Sequence, residues 1–205
     1  MLDAPLRRLV DPALNRVAAV LAKGGIGANA LTLFGAAIGL GVAVAISQSS
    51  FGLALALVIG NRVIDGLDGA VARINGPTEF GGYLDSLADY LFYVSVPVAF
   101  GFASPANQMA ALLLVASFTL TAVSFLAFAA IAARKNADEG THGPKAFIYS
   151  TGLMEGGETI VFFILFCLLP IHFPTLASVF AALCLLTVAQ RVLIAANQFR
   201  HSGVT

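Results

Sequence analysis

Two pairs of aspartates stand at helical spacing in the first half of this chain. Asp65 and Asp68 are three positions apart, and Asp85 and Asp89 are four positions apart. On a helix each pair shares one face, so two helices meeting here would point the carboxylates at one small volume. Such a cluster repels itself unless a cation neutralises it, and Mg²⁺, Mn²⁺ or Ca²⁺ takes oxygen ligands. The pattern predicts a divalent-metal site that can hold two ions and leave positions for a substrate.

The composition is that of a membrane protein. Of 205 residues, 59% are hydrophobic and 11% are charged, against roughly a quarter charged in soluble domains. The mean hydropathy is +0.90. Cys167 and Cys184 lie inside apolar runs, so they say little about the redox compartment. We expect one membrane-embedded domain over residues 1–205, in contact with membrane lipids and without a nucleic-acid partner.

Apolar periodicity and turn signals divide the chain into seven helices. Residues 3–22 alternate arginines with a helical apolar pattern, which predicts an amphipathic helix on the membrane surface. Residues 30–196 predict a bundle of six spans, each long enough for a hydrocarbon core of about 30 Å. The expected spans cover residues 30–46, 51–71, 82–102, a stretch ending near 133, 153–169 and 175–196. The fold class is therefore an all-α integral membrane protein.

The two aspartate pairs are expected at the same membrane face. The connection 74–80 contains Gly76-Pro77, a loop signal, so the chain reverses between the pairs. The positive-inside rule then places this face and both termini in the cytoplasm, because the opposite turns contain no Lys or Arg. The basic residues assigned to the cytoplasmic side are Arg7, Arg8, Arg16, Lys23, Arg73, Arg134, Lys135, Lys145 and Arg200. The expected location is the cell (inner) membrane, with the active site facing the cytoplasm.

A carboxylate at a membrane edge costs free energy and normally has a function. This disfavours the alternative that the aspartates are ordinary acidic residues at helix ends. An ion or proton transporter is a second alternative, but transporters tend to place such groups at the bilayer midplane within broken repeats. Here both pairs lie at the ends of adjacent spans. A metal-dependent reaction is the interpretation that fits best.

The pattern Asp-x2-Asp-Gly-x2-Ala-Arg, a spacer, then Gly-x3-Asp-x3-Asp resembles the signature of the CDP-alcohol phosphotransferase family. The matching positions are Asp65, Asp68, Gly69, Ala72, Arg73, Gly81, Asp85 and Asp89. The spacer has seven residues where eight is more usual, and the pair Gly81-Gly82 absorbs this difference. The resemblance extends to the surface helix, to Asn29-x2-Thr32 and to Gln190-Arg191, so it covers nearly the whole chain.

The resemblance implies a transferase that moves a phosphatidyl group from CDP-diacylglycerol to a small polar alcohol and releases CMP. It implies two ions, Mg²⁺ or Mn²⁺, held by Asp65, Asp68, Asp85 and Asp89, with Asp89 also serving as the general base. The donor-binding residues that it implies are Asp68, Gly69, Ala72, Arg73, Gly81, Asn29 and Thr32. It also implies a homodimer.

Three alternatives stay open at this point. A CDP-alcohol could be the donor and diacylglycerol the acceptor. An intramembrane prenyltransferase also uses aspartate pairs and Mg²⁺, but it lacks the Asp-Gly-x2-Ala-Arg core. A member that only binds nucleotide would not need the fourth carboxylate.

The sequence indicates which charged residues could bind the acceptor alcohol, but it does not identify that alcohol. Arg191 lies deep in the sixth span, where a charge is costly unless it faces a polar cavity or a partner carboxylate. With Glu155 and Glu158 it would suit a neutral polyol or an acceptor carrying an amine, and Arg134 and Lys135 could add positive charge. The alternative is a structural ion pair between Glu158 and Arg191. Asn61 and Arg62 precede Asp65 by one turn and either support the cytidine site or, for Arg62, reach the membrane interface.

Overall fold

A computed structural model describes residues 3–138, 154 and 156–200, and seven α-helices run through them. The helices are α1 (Asp3–Lys23), α2 (Ala28–Ser47), α3 (Phe51–Asn75), α4 (Glu79–Ala103), α5 (Gln108–Asp138), α6 (Gly156–Leu168) and α7 (Phe173–Arg200). Short 3₁₀ turns at Pro105–Asn107 and Pro170–His172 join α4 to α5 and α6 to α7. The all-helical architecture is confirmed, and α1 covers the predicted N-terminal helix at 3–22; its location on the membrane surface stays a prediction.

A cluster of phenylalanines fills the core of the bundle, from Phe92 beside the site to the opposite end. Phe100 stacks on Phe173 with ring centroids 4.2 Å apart and on Phe51 at 5.7 Å, which brings α3, α4 and α7 together. Phe162 of α6 stacks on Phe180 of α7 at 4.2 Å. The fully buried rings are Phe92, Phe100, Phe163, Phe166, Phe173 and Phe180. Interlocking rings in several orientations fix the helices that carry the site.

The residues of the turn between α3 and α4 determine its conformation. Gly76 adopts φ +91°, a left-handed conformation that favours glycine, and ends α3. The Thr78 hydroxyl then caps α4 by accepting a hydrogen bond from the Gly81 amide at 3.0 Å. The chain therefore reverses between the two aspartate pairs, as the sequence predicts.

Two glycines let α2 approach its neighbours closely. A Cβ at Gly35 would lie 3.3 Å from Ile64 of α3, and a Cβ at Gly39 would lie 3.2 Å from Phe92 of α4. This is the close packing that Gly-x3-Gly spacing permits in membrane helices. As a result α2 lies against both helices that carry the aspartates.

Gly39→Leu should lower the melting temperature of the purified protein, because the added side chain must displace the buried ring of Phe92. Overpacking of this kind costs about 1–3 kcal/mol. The matched control is Gly52→Leu, since a Cβ at Gly52 has no atom within 4 Å. Thermal unfolding in detergent should separate the two variants. Equal melting temperatures would show that α2 tolerates a wider separation from α4.

The N-terminal helix packs on the site end of the bundle. Ala18 of α1 is fully buried in a small apolar cluster with Leu31, Leu67 and Val71. Gly66 makes the approach possible, because a Cβ there would lie 2.6 Å from a Leu14 methyl group. Helix α1 therefore forms one wall of the site end of the bundle.

Four helical stretches in the described part of the chain are long and apolar enough to cross a membrane: Ala28–Ser47, Glu79–Ala103, Pro105–Ile131 and Pro170–Asn197. Helix α3 has the length but carries Arg62 near its middle and Asp65 and Asp68 in its second half. Helix α6 has 13 residues, about 20 Å of rise, which is shorter than the predicted span 153–169. Residues 139–153 and 155 lie outside the described part. The chain is a multi-pass membrane protein.

Candidate active site

Three of the four predicted aspartates meet at one point. One carboxylate oxygen from each of Asp65, Asp68 and Asp85 lies within 4.8 Å of the others. The i, i+3 spacing on α3 and the reversal at Gly76 produce this arrangement, so two helices supply the three groups. Asp68 is buried and Asp85 is exposed, which leaves the cluster open on one side.

The chemistry of this cluster fits a divalent cation. Its ligand atoms are carboxylate oxygens, which hard cations such as Mg²⁺ and Mn²⁺ prefer, and a set of three protein ligands leaves coordination positions for water or substrate. Without a cation the three negative charges would repel one another at this separation. We therefore assign Asp65, Asp68 and Asp85 as the residues that would hold a metal ion.

Asp89 is engaged differently. Its Oδ1 accepts a hydrogen bond from the Arg62 guanidinium at 3.2 Å, and the same guanidinium lies 3.4 Å from Asp65 Oδ2. Asp89 lies one turn after Asp85 on α4 and faces the same cavity, but it is not within the three-carboxylate cluster. Its predicted roles as metal ligand and general base stay predictions.

The position of Arg62 is fixed by contacts from three helices. Asn61 Oδ1 accepts hydrogen bonds from Arg62 Nε at 2.9 Å and from NH2 at 2.6 Å, while Asn61 Nδ2 donates to the Gly35 carbonyl of α2 at 2.8 Å. The guanidinium also lies over the Phe92 ring of α4, 5.1 Å from its centroid. These contacts hold Arg62 within the site, and its side chain does not extend to the membrane interface.

The predicted donor-binding residues fall into two groups. Thr32 interacts with the Asp68 carboxylate, and both residues line a small cavity of about 10 Å³ beside Asp89. Asn29 Oδ1 lies 3.1 Å from where a Cβ of Gly81 would be, which joins the start of α2 to the first turn of α4. The structure thus brings Asn29 and Thr32 beside the aspartate motif, from a different helix.

The other donor-binding residues follow the aspartates along α3. The Arg73 guanidinium extends back over Gly69, where a Cβ would lie 3.6 Å from NH1. Both residues line the main cavity. Ala72 is half-buried and does not line it.

This main cavity has a volume of about 710 Å³ and two kinds of wall. Its polar wall is formed by Arg62, Asp65, Asp68, Arg73, Asp85 and Asp89. Its apolar wall lies between α3 and α6 and is formed by Ile59, Val63, Ile160, Val161 and Ile164. A volume in this range suits a ligand that combines a charged head with an apolar body.

Sequence reasoning missed several residues of this cavity. Asp11 and Leu14 reach it from α1, Tyr93 from α4, and Gly156 and Gly157 from the start of α6. Periodicity gives the face of a helix that is apolar, but it does not say which neighbour that face meets. The i, i+3 spacing of Arg62 and Asp65 was the one available signal that Arg62 belongs with the carboxylates.

The predicted acceptor residues are more scattered. Arg191 is buried, donates from NH1 to the Thr121 carbonyl at 3.0 Å and to Ser124 Oγ at 3.3 Å, and lies over Phe125. These contacts join α7 to α5, and Arg191 does not line the main cavity. Arg134 is exposed near the end of α5, and Glu158 is half-buried in the first turn of α6. Glu155 and the side chain of Lys135 lie outside the described residues.

Comparison with protein-family models decides the class. The model of the family described as CDP-alcohol phosphatidyltransferase matches residues 26–199, which include every motif aspartate. The chain belongs to the CDP-alcohol phosphatidyltransferase family. It is therefore an enzyme of that class, and the prenyltransferase alternative is set aside.

Two relatives of known sequence are similar to this chain. The Inner membrane protein YnjF of Escherichia coli (strain K12) is 43% identical over 193 residues, which cover 94% of each chain. The Archaetidylinositol phosphate synthase of Methanothermobacter thermautotrophicus is 37% identical over 87 residues, which cover 42% of this chain and 41% of the relative.

Solved structures share the fold. The Mycobacterium tuberculosis phosphatidylinositol phosphate synthase (PgsA1) with CDP-DAG bound superposes with a TM-score of 0.68 at 18% identity, covering 87% of this chain and 91% of that one. The same protein in complex with manganese and citrate gives a TM-score of 0.68 at 18% identity, covering 87% of each chain. The helical bundle seen here is thus the architecture of a CDP-alcohol phosphatidyltransferase.

Proposed function

We propose that this enzyme transfers a phosphatidyl group from CDP-diacylglycerol to a small polar alcohol and releases CMP, in a metal-dependent reaction. The observation that carries the proposal is the two-walled cavity, in which the aspartate cluster adjoins an apolar wall between α3 and α6. A diphosphate head with acyl chains has the same division of polar and apolar surface. The CDP-DAG bound to the PgsA1 structure with this fold supports the same donor.

Each part of the motif has a role in this reaction. A divalent ion, when bound at Asp65, Asp68 and Asp85, would neutralise the donor diphosphate and stabilise charge on the departing CMP. Arg73 lies over Gly69 at the cavity wall, where its guanidinium can contact a phosphate oxygen. Asp89 lines the same cavity and would accept the proton of the attacking hydroxyl, which is a poor nucleophile until a base takes that proton.

The apolar wall faces the lipid. Ile59 is 52% exposed, Val63 47% and Val161 44% on the surface of this chain, although all three line the cavity. Side chains that are both cavity-lining and exposed mark an opening between α3 and α6 toward the membrane. A lipid donor could enter the site sideways through this opening, with its acyl chains remaining in the bilayer.

The acceptor is proposed to be a neutral polyol or an alcohol carrying an amine. Gly156 and Gly157 line the cavity, and the next residue, Glu158, carries a carboxylate in the first turn of α6. A negative charge at that point would disfavour a phosphorylated acceptor. Arg191 remains the proposed acceptor contact from α7, and its bonds to α5 also suit the alternative of a structural role.

The decisive assay uses purified protein with CDP-diacylglycerol, Mn²⁺ or Mg²⁺, and a panel of neutral, amine-bearing and phosphorylated alcohols. We expect CMP release and a new phospholipid with at least one neutral or amine-bearing acceptor. A second series should supply CDP-alcohols with diacylglycerol. Activity only in that series would support the reverse assignment of donor and acceptor, and activity only with phosphorylated alcohols would overturn the proposed acceptor class.

For the membrane we propose six spans, formed by α2 to α7, with α1 on the cytoplasmic surface and the active site facing the cytoplasm. The turns 48–50, 104–107 and 169–172 contain no Lys or Arg, whereas Arg73 lies at the site end of the bundle. The name of the relative YnjF supports the inner membrane as the location. A homodimer is proposed on the family resemblance.

A cysteine-labelling experiment tests this topology. Ala106→Cys should react with an impermeant thiol reagent added to intact cells, and Asn75→Cys should react only after permeabilisation, because these exposed positions lie at opposite ends of the bundle. The background should lack Cys167 and Cys184, which are buried and unpaired. The opposite labelling pattern would put the aspartates outside the cell, away from cytoplasmic CDP-linked donors.

A further inference from the structure

Arg62 occupies the space between two of the motif carboxylates. Its NH1 lies 3.4 Å from Asp65 Oδ2 and its NH2 lies 3.2 Å from Asp89 Oδ1, so one guanidinium bridges α3 and α4. A divalent ion placed between Asp65 and Asp89 would compete with the guanidinium for these two carboxylates. The cluster of Asp65, Asp68 and Asp85 shares Asp65 with this bridge, but Asp68 and Asp85 form no ion pair with Arg62 among the contacts of the described residues.

The bridge is too well built to be an incidental surface pair. The arginine is held by two hydrogen bonds from its own side chain to Asn61, which is buried and anchored to the Gly35 carbonyl. Its planar face rests on Phe92. These contacts fix the fork of the guanidinium so that its two terminal nitrogens are directed at the two carboxylates, and little rotamer freedom is lost when the bridge forms.

Resting on the proposed function, we propose that Arg62 is a built-in cation that controls how many metal ions the site holds. One ion binds the Asp65, Asp68 and Asp85 cluster directly. A second ion, between Asp65 and Asp89, binds only when it displaces the guanidinium. Arg62 is thus a positioning residue that makes the affinities of the two ion sites unequal, although the same four motif aspartates supply the ligands of both sites.

The test is a Mn²⁺ titration of the substrate-free protein, with free Mn²⁺ followed by electron paramagnetic resonance after metal has been stripped with a chelator. The wild type should bind one ion tightly and a second ion at least about tenfold more weakly, which is the scale of one charge-assisted hydrogen bond. Arg62→Gln removes the guanidinium and should tighten the second site by about tenfold or more. The first site should change much less.

Arg73→Gln is the matched control. It removes the same charge from the wall of the same cavity, but Arg73 lies beside Gly69 and not between Asp65 and Asp89. We expect Arg73→Gln to keep the wild-type difference in Mn²⁺ affinity between the two sites. An equal tightening in both variants would mean that general electrostatics, and not the bridge, sets the affinity.

Two further measurements keep the outcomes distinct. Arg62→Gln combined with Asp89→Asn should lose the second site again, which assigns that site to Asp89. If Arg62→Gln does not fold, the wild-type titration still decides, because two sites of equal affinity would overturn the inference and leave the proposed reaction intact. Absence of any bound Mn²⁺ would overturn the metal dependence itself.

Discussion

Asp68→Asn should abolish turnover and should weaken Mn²⁺ binding at the first site by more than about 100-fold, because even loss of a second-shell partner costs 10–100-fold in metal affinity. Asp68 is the most enclosed member of the carboxylate cluster, and neutralising it leaves only two carboxylates, Asp65 and Asp85, of the original three. Asparagine keeps the shape of the side chain, removes the charge and replaces one carboxylate oxygen by an NH₂ group, which cannot bind a metal ion. Activity assays and Mn²⁺ titration measure the two effects separately.

Asp65→Asn and Asp85→Asn should behave in the same way, since each also contributes one oxygen to the cluster. Excess EDTA should reproduce the loss in the wild type. Asp11→Asn is the matched control for Mn²⁺ binding, because Asp11 lines the same cavity from α1 without belonging to the cluster. If the protein binds CDP-diacylglycerol equally well in excess EDTA, the metal has no part in donor binding and this model of the site is wrong.

The sequence was sufficient to place the carboxylates, because their positions depend on local rules. Helical spacing puts Asp65 and Asp68 on one face of α3, and Gly76 followed by Pro77 reverses the chain, so Asp85 returns to the same end of the bundle. Neither step needs knowledge of distant packing. The helix α1 was predictable for the same reason, since its apolar stripe follows a helical period.

The rest of the site depends on contacts that the sequence does not specify. Arg62 could have extended toward the interface, and only the packing of α2 and α4 shows that Asn61 and Phe92 hold it against Asp89. Arg191 was correctly placed as a buried charge, but its neighbours on α5, Thr121 and Ser124, could not be read from a pattern along α7. Tertiary packing decides which of several allowed partners a long side chain meets.

Asp89→Asn should separate chemistry from binding. If Asp89 takes the proton of the acceptor hydroxyl, this variant should lose about 100-fold or more in kcat, the usual scale for a positioned base. The affinity for CDP should stay close to the wild-type value, because Asp89 lies outside the three-carboxylate cluster that would hold the first ion. The amide oxygen can still accept the hydrogen bond from Arg62, so the bridge to α3 need not be lost.

Steady-state kinetics and CDP binding by calorimetry should be measured on the same preparations of Asp89→Asn and Asp85→Asn. Both substitutions neutralise one carboxylate on α4 and the two positions are one turn apart, so they form a matched pair. We expect Asp85→Asn to lose both metal-dependent CDP affinity and turnover, and Asp89→Asn to lose turnover alone. A parallel loss of CDP affinity in Asp89→Asn would make Asp89 chiefly a metal ligand, and the proton acceptor would then have to be sought among the other groups that line the cavity.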